Sequence, residues 1–304
     1  MWFNNALVFQ FELDDDIDWT DAFIPDALKP CPPHARAITG WSNVCDDELV
    51  QEVAGCALIS FGKEERILPR AVIKRVLAER VLKMEVEQGI TIKRSQKSRM
   101  ADELEFELLP KAFCLEKNTL ALIDKVTKRI FVNTASINQA ESVMALLRKS
   151  IPAIRITPVD YPEQLAMRFV EWINNPAALP PMFKLASDCI LFCPDDDKKR
   201  FNCKGCELPA EEILSLLSQG LLAAELSLIW NERIQFTLTH ELILKRIKCQ
   251  DYLLDELNEI RELEEERQQQ DASLVLLAGE LRALTNDLLA GVEAVIPMES
   301  VALS

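Results

Sequence analysis

Apolar residues recur along this chain with a period of two, then of about 3.6, then of two again, and the changes of period mark its elements. Residues Ala6 to Leu13 alternate as a strand does. Asp14–Asp18 reads as an acidic turn that could open a short helix, and Cys56 to Phe61 is a second strand candidate. Pro69 is suited to start a helix, because its missing N–H falls where no intrahelical partner exists. From there Val72, Ile73, Val76, Leu77, Val81 and Met84 keep helical spacing to about Gln88, and Gly89 supplies a stop. Residues 100–109 resume a helix that ends at Pro110. The stretch between them, GITIKRSQKSRM (89–100), is predicted to connect the two helices at the tip of a projecting helical arm.

Downstream, Phe113–Leu115, Thr119–Ile123 and Arg129–Asn133 read as three short antiparallel strands joined by polar turns. Ser136 is placed to cap a helix to about Ser150, with Ile137, Ala140, Val143, Met144 and Leu147 on its apolar face. Ile154–Pro158 reads as a strand, Pro162 to Asn174 as a helix, and the proline-rich 176–181 as a connection. Pro209 to Gln219 follows as a helix, with Glu211 and Glu212 at its electropositive end. Leu221–Trp230, Arg233–Leu238 and Leu242–Ile247 resemble an antiparallel meander. Asp251 to Gln270 is predicted as one acidic helix and Ser273–Leu289 as a more apolar one. No fixed-period repeat is evident. Strand and helix runs mix without regular βαβ alternation, so the expected class is α+β, antiparallel sheets with packed helices. Three regions are expected: 1–61 with 119–180 as a central α+β region, 62–118 as a basic helical arm, and 181–304 as a C-terminal antiparallel sheet with helices.

Charge sharpens the picture of the arm. The chain of 304 residues has a formal net charge of −15, yet Lys93, Arg94, Lys97 and Arg99 crowd seven residues that hold no acid. Residues 1–61 hold 2 Lys and Arg against 11 Asp and Glu, and residues 130–304 hold 16 against 27. Residues 62–129 reverse this, with 16 against 11. Such polarity makes a local positive surface for a polyanion, while the acidic regions repel one. A solvated helical face of mixed charge is the plainer reading of the same residues.

Other chemistry is sparse. His34 and His240 are the only histidines, and neither has a metal-ligand pattern beside it. Nothing matches a P-loop, a dinucleotide-binding glycine turn or a nucleophile elbow, and no cofactor is implied, so a non-enzyme is expected. Cys189, Cys193, Cys203 and Cys206 give C-x3-C-x9-C-x2-C, a spacing that could hold zinc, although structural thiols are the preferred reading. Nine scattered cysteines and an N-terminus without a basic start or cleavage site fit a reducing cytosol. No apolar run reaches the roughly 18 residues a membrane span needs.

Several strings are distinctive: MWFNNALVFQF, GKEERILPRAVIK (62–74), LLPKAF (108–113), ALLRKS (145–150), LIWNERIQFTL (228–238), LKRIKCQD (244–251) and GELRALTNDLL (279–289). Together, and collinear over almost the whole chain, they resemble the bacterial RdgC family of recombination-associated proteins. The resemblance implies a ring-shaped homodimer whose positively lined hole admits duplex DNA. It also implies binding of double-stranded and single-stranded DNA without sequence preference, association with the nucleoid, and antagonism of a RecA-type recombinase. Lys93, Arg94 and Lys97 match family cations, Lys74 and Lys83 match basic positions of the preceding helix, and Lys111 matches a position the family fills with Arg or Lys. Arg75 and Arg99 extend the candidate DNA-binding set within the same segment. Phe113 matches an aromatic implicated in the contact that closes the ring, whereas periodicity alone reads it as a strand-core residue. Around Cys203-Lys204-Gly205-Cys206 the family is more basic and carries glutamine, so only Lys204 is carried over there. Positions 14–54 match poorly beyond Gly40-Trp41. Two readings compete with DNA encirclement: an acidic interaction module that acts on a recombination partner with weak DNA contact, and a zinc-containing module.

Overall fold

The computed structural model of the protein describes residues 2–14, 17–45, 47–159 and 165–293. Strand β1 (Leu7–Glu12) leads to helix α1 (Trp19–Phe23), where Asp18 Oδ1 accepts from the Asp21 N–H at 3.1 Å. The acidic turn thus does cap a short helix, with positions 15–16 outside the described residues. Next come β2 (Ala37–Ser42), β3 (Val50–Val53) and β4 (Cys56–Arg66), then the helix pair α2 (Arg70–Gln88) and α3 (Arg94–Leu108). β5 (Cys114–Asp124), β6 (Arg129–Val132), α4 (Ile137–Ser150), β7 (Arg155–Pro158) and α5 (Leu165–Asn174) follow, the predicted start of the last at Pro162 lying outside the described residues. A long hairpin, β8 (Phe183–Cys193) and β9 (Asp196–Cys203), precedes α6 (Glu211–Ser218). The meander β10 (Leu222–Trp230), β11 (Ile234–Thr239) and β12 (Leu244–Cys249) forms as its pattern predicts, and α7 (Asp251–Arg261) and α8 (Glu266–Glu293) complete the described chain. Eight helices and two sheets among the described residues make the class α+β.

One sheet has the order β2-β4-β5-β6-β1-β7 with β3 paired to β4, and the other the order β12-β11-β10-β8-β9. The chain divides into two units, and β4 and β5 each pass from one to the other. The larger comprises residues 1–17, 50–59 and 120–304. In it α8 buries Leu274, Leu277, Ala278, Leu281, Leu284, Leu288 and Val292, a stripe at helical spacing. Polar clamps fix the register of that helix: Gln51 Nε2 donates to Asp271 at 2.7 Å, Trp230 Nε1 to Asp287 at 2.8 Å, and Arg282 to the buried Asp124. An isolated antiparallel bridge joins Ala6, just before β1, to Leu244 of β12, their backbone N–H groups donating to each other's carbonyls at 2.8 and 3.0 Å.

The smaller unit, residues 18–49 and 60–119, has its own core of Trp19, Phe23 and Trp41, with the Phe23 and Trp41 rings 4.7 Å apart. Gly40 is required there, because a Cβ would lie 2.5 Å from the Leu28 Cα. Arg66 gathers the surrounding loops. Its guanidinium donates to the carbonyls of Cys31, Leu109 and Ala112 at 3.0, 3.3 and 3.2 Å.

Three sequence expectations are corrected. Phe113–Leu115 and Thr119–Ile123 are not two strands: one strand, β5, runs from Cys114 through both, with Phe113 just before it. The polar residues between them are satisfied in extended backbone, Lys117 by Glu65 at 2.9 Å and Asn118 by the Ser42 hydroxyl at 3.0 Å. The acidic stretch 251–270 is not one helix, because α7 stops at Arg261. A run of glutamates at 262 and 264–266 repels itself there, and Gln269 Nε2 donates to the Leu263 and Arg261 carbonyls at 2.7 and 3.3 Å. Third, the segment 89–100 is not all connection, since α3 begins at Arg94 rather than near Met100.

Candidate nucleic-acid interface

The arm is built from local signals. α2 starts after Pro69 in extended backbone and ends at Gly89, whose φ of 63° is the left-handed conformation that only glycine adopts without strain. The turn then folds back on the arm. Ile92 is buried, its N–H donates to Glu85 Oε1 at 2.9 Å, and the Lys93 N–H donates to Gln96 Oε1 at 3.1 Å, which starts α3. α3 packs antiparallel on α2, with Arg80 bridging to Glu107 at 3.0 Å near its far end.

α3 carries its charge the wrong way round for a helix. Lys93, Arg94 and Lys97 occupy the electropositive N-terminal turn, and Glu105 and Glu107 the electronegative last turn. Each such placement costs about 0.3–1 kcal/mol. α4 obeys the rule, with a Ser136 cap at 3.4 Å and Arg148 and Lys149 at its end. In α3 the acidic end is neutralised by Arg36 on Glu105 and Arg80 on Glu107, and the hydrogen bond from Arg36 holds the Glu105 carboxyl below the usual range. At the basic end only Lys97 has an acidic neighbour, Glu85 at 3.6 Å, while Lys93 and Arg94 have none among the described residues.

Lys74, Arg75, Lys93, Arg94, Arg99 and Lys111 are exposed. None has an acidic side chain within ion-pair distance among the described residues. Lys83 reaches Glu87 at 3.9 Å and Lys97 reaches Glu85 at 3.6 Å, both long and partly exposed pairs of small energetic weight. The helix turns about 100° per residue, so Lys74 and Lys83 lie roughly 180° apart, on either side of the stripe formed by Ile73, Leu77 and Val81. Arg75 lies on the outer face, opposite that stripe. The cations therefore surround the arm instead of lining one face. Lys111, in the turn that follows α3, sits at the end of the arm that also carries Lys74 and Arg75. Lys204 belongs to the other unit, on the loop after β9.

Phe113 is 85% exposed, so it is not the strand-core residue that periodicity suggests. It opens an apolar patch with Ile67 and Leu115, exposed by 47% and 41%. The Ile67 N–H donates to the Phe113 carbonyl at 2.7 Å, which fixes the two strands side by side. Sequence reasoning misses Ile67, and it misses Leu82 and Val86, exposed on the outer face of α2 at 64% and 75%. The last two do carry a signal in the sequence: both fall outside the apolar stripe of their own helix.

The four-cysteine pattern is taken apart by β8. Cys189 and Cys193 are four residues apart on an extended strand, about 13 Å, too far to share one ion. Cys203 lies directly opposite Cys189, while Cys193 faces Asp196 at the other end of the hairpin. Among the described residues, no group of three or more His, Cys, Asp or Glu is placed to hold a metal. His34 stacks on Phe106 at 4.0 Å, and His240 sits against the Ala224 carbonyl at 3.2 Å. No helix among the described residues is long and apolar enough to cross a membrane.

The chain as a whole is similar to known proteins. Residues 1–294 match the family model described as "Putative exonuclease, RdgC". The "Recombination-associated protein RdgC" of Yersinia pestis (strain Pestoides F) is 32% identical over 295 residues, which cover 95% of this chain and 97% of that protein. The protein of the same name from Proteus mirabilis (strain HI4320) is 32% identical over 292 residues, 93% of this chain and 95% of its own. A match across both full lengths, on top of the collinear strings, leaves one conclusion: the chain belongs to the RdgC family.

Proposed function

We propose that the arm is a sequence-independent DNA-binding surface. Two copies of the chain would close a ring around duplex DNA and so limit the access of a RecA-type recombinase. The observation that carries this reading is α3, whose first cations, Lys93 and Arg94, are exposed without an acidic partner among the described residues and sit where they destabilise the helix itself. Residues that break a local rule without structural return are expected at functional sites. Phosphate contacts from Lys74, Arg75, Lys83, Lys93, Arg94, Lys97, Arg99 and Lys111, with Lys204 from the other unit, need no base-edge readout. Acidic surface elsewhere would discourage DNA from binding in other places and favour the nucleoid as the site of action. The exposed patch around Phe113 suits an isologous contact, the same surface used on both copies of a twofold dimer. The activity is binding rather than cleavage, so duplex incubated with the protein and Mg²⁺ keeps its length.

DNA binding measured across a salt series, on protein of determined molecular mass, tests the reading. Affinity should fall steeply with salt, the mass should be that of a dimer, and Lys93, Arg94 and Lys97 changed together to Ala should flatten the slope. Unchanged affinity and slope in that variant would sink the assignment. Salt-insensitive binding to a recombination partner would then favour the acidic interaction module.

A further inference from the structure

We propose that Cys189 and Cys203 form a thiol pair that a hydroperoxide converts reversibly to a disulfide, stapling the β8–β9 hairpin. Both cysteines are free in this structure, and they are directly opposed Cα partners in an antiparallel ladder. Opposed antiparallel residues have Cα atoms about 4.5 or 5.5 Å apart, within the roughly 4.4–6.8 Å that a disulfide spans. Their Cβ atoms, typically about 4.5–5.5 Å apart, need to close by up to about 1 Å. The hairpin can give this much, because β9 is an edge strand and the β8–β9 register already shifts between Phe192 and Cys193.

Access separates the roles of the two thiols. Both thiols border one small crevice beside Lys204, but Cys189 is 2% exposed whereas Cys203 is only half-buried. Cys203 is therefore the residue a peroxide reaches. Its thiolate attacks the peroxide oxygen, the O–O bond breaks, and water or an alcohol leaves with the second oxygen. The resulting sulfenic acid then accepts attack by the Cys189 sulfur, which forms the S–S bond and releases water. Cys189 is slow to ionise, since burial and then the neighbouring Cys203 push its pKa up to about 12. Conversion of Cys203 to the uncharged sulfenic acid removes the second of these causes. Cys206 stands by, held by its N–H on the Ser187 carbonyl at 2.9 Å, and the intervening Lys204 and Gly205 form the turn that the staple would brace. Nothing in this chemistry depends on the DNA-binding reading.

The test is a non-reducing peptide map of the reduced full-length chain after graded hydrogen peroxide. The expected product is a Cys189–Cys203 cross-linked peptide, absent after treatment with dithiothreitol. Cys206→Ser should keep that cross-link, and Cys203→Ser should abolish it while leaving Cys189 a free thiol. Circular dichroism checks that each variant is folded. Should Cys203→Ser not fold, Cys206→Ser alone decides, because it removes the one thiol that competes for Cys203 from the adjoining turn. Appearance of a Cys203–Cys206 disulfide in place of the cross-link would overturn the proposal. Oxidation of Cys203 to sulfinic acid with Cys189 still free would overturn it as well.

Discussion

Asp124 is fully buried and accepts hydrogen bonds at 2.8 Å from both Nε and Nη2 of Arg282, whereas Lys93, Arg94 and Arg99 stand exposed with no acidic partner among the described residues. Burial alone pushes the Asp124 pKa up, but hydrogen bonds from Arg282, Thr127 and the Val126 N–H outweigh it and hold the carboxyl below its usual range. Arg233 repeats the pattern, forked onto Glu256 at 2.7 and 2.8 Å and reaching Glu280 at 2.9 Å. Charge at these two clusters of the larger unit is thus consumed by folding. At the tip of the arm it is left over. The net charge of −15 averages these two uses and describes neither.

Each side of the contrast can be broken. The largest loss of stability is expected for Arg282→Ala, which leaves a buried carboxylate unpaired and costs about 3 kcal/mol. Urea unfolding measures it, and adding Asp124→Asn should recover part of the loss. A double variant as weak as the single would show that the pair does not hold α8 to the sheet. The same pair sets an acid limit. Because Asp124 has a depressed pKa in the folded state, its contribution is complete above the ordinary Asp value near 3.9. It is lost as pH falls from there through the lower folded value. Asp124→Asn should therefore flatten acid unfolding in that window and leave the slope near neutrality unchanged.

Phe113→Ala comes next: on the proposed closure of the ring it should cost about 2 kcal/mol in a contact between copies and nothing in the fold. Retention on circular DNA should drop more than binding to short linear duplex, with an unchanged melting temperature. A large fall in melting temperature would instead make Phe113 structural, against its 85% exposure. For Lys93, Arg94 and Lys97 changed together to Ala, stability should move by less than about 0.5 kcal/mol, or rise, since cations leave a helix N-terminus. The log–log slope of DNA affinity against salt should become shallower by about 0.9 for each phosphate that is no longer neutralised. The smallest effect is expected at Glu65, on the exposed surface. Its carboxyl is held at about 2 by hydrogen bonds from Lys63 and Lys117, so this pairing would weaken only as pH falls below the ordinary glutamate range. Glu65→Gln should unfold at the wild-type urea midpoint at neutral pH, and a clear shift there would mean that surface pairs matter more than the contrast allows.

Much of the candidate site is legible in the sequence because its signals are local. Pro69 and Gly89 bracket α2, Ser136 caps α4, and the cations of the tip are neighbours in the chain, so a window of a few residues contains the cause of each. Hydrophobic spacing places the start of α3 too late, because that start depends on Glu85 and Gln96 receiving backbone N–H groups of the turn, which spacing does not register. β2, β3 and most of the β8–β9 hairpin are also hidden from it. β9, DDKKRFNC, carries no alternating apolar pattern, and such charged residues suit an edge strand whose free side faces water.

The α+β class, the two ends of α2, the capped start of α4 and the concentration of positive charge at 93–99 were determined by the sequence alone, since each follows from residues adjacent in the chain. Burial and partnership were decided only by the tertiary structure. Phe113 and Phe131 are the same residue type, each in or beside a strand, yet one is 85% exposed and the other fully buried. Cys189 faces Cys203 and not Cys193, and Asp124 finds its counter-ion 158 residues away. Local propensity is set by backbone and side-chain preferences within one or two turns. The environment of a side chain is set by whatever the fold brings against it, and the sequence spacing between partners leaves no trace of that meeting.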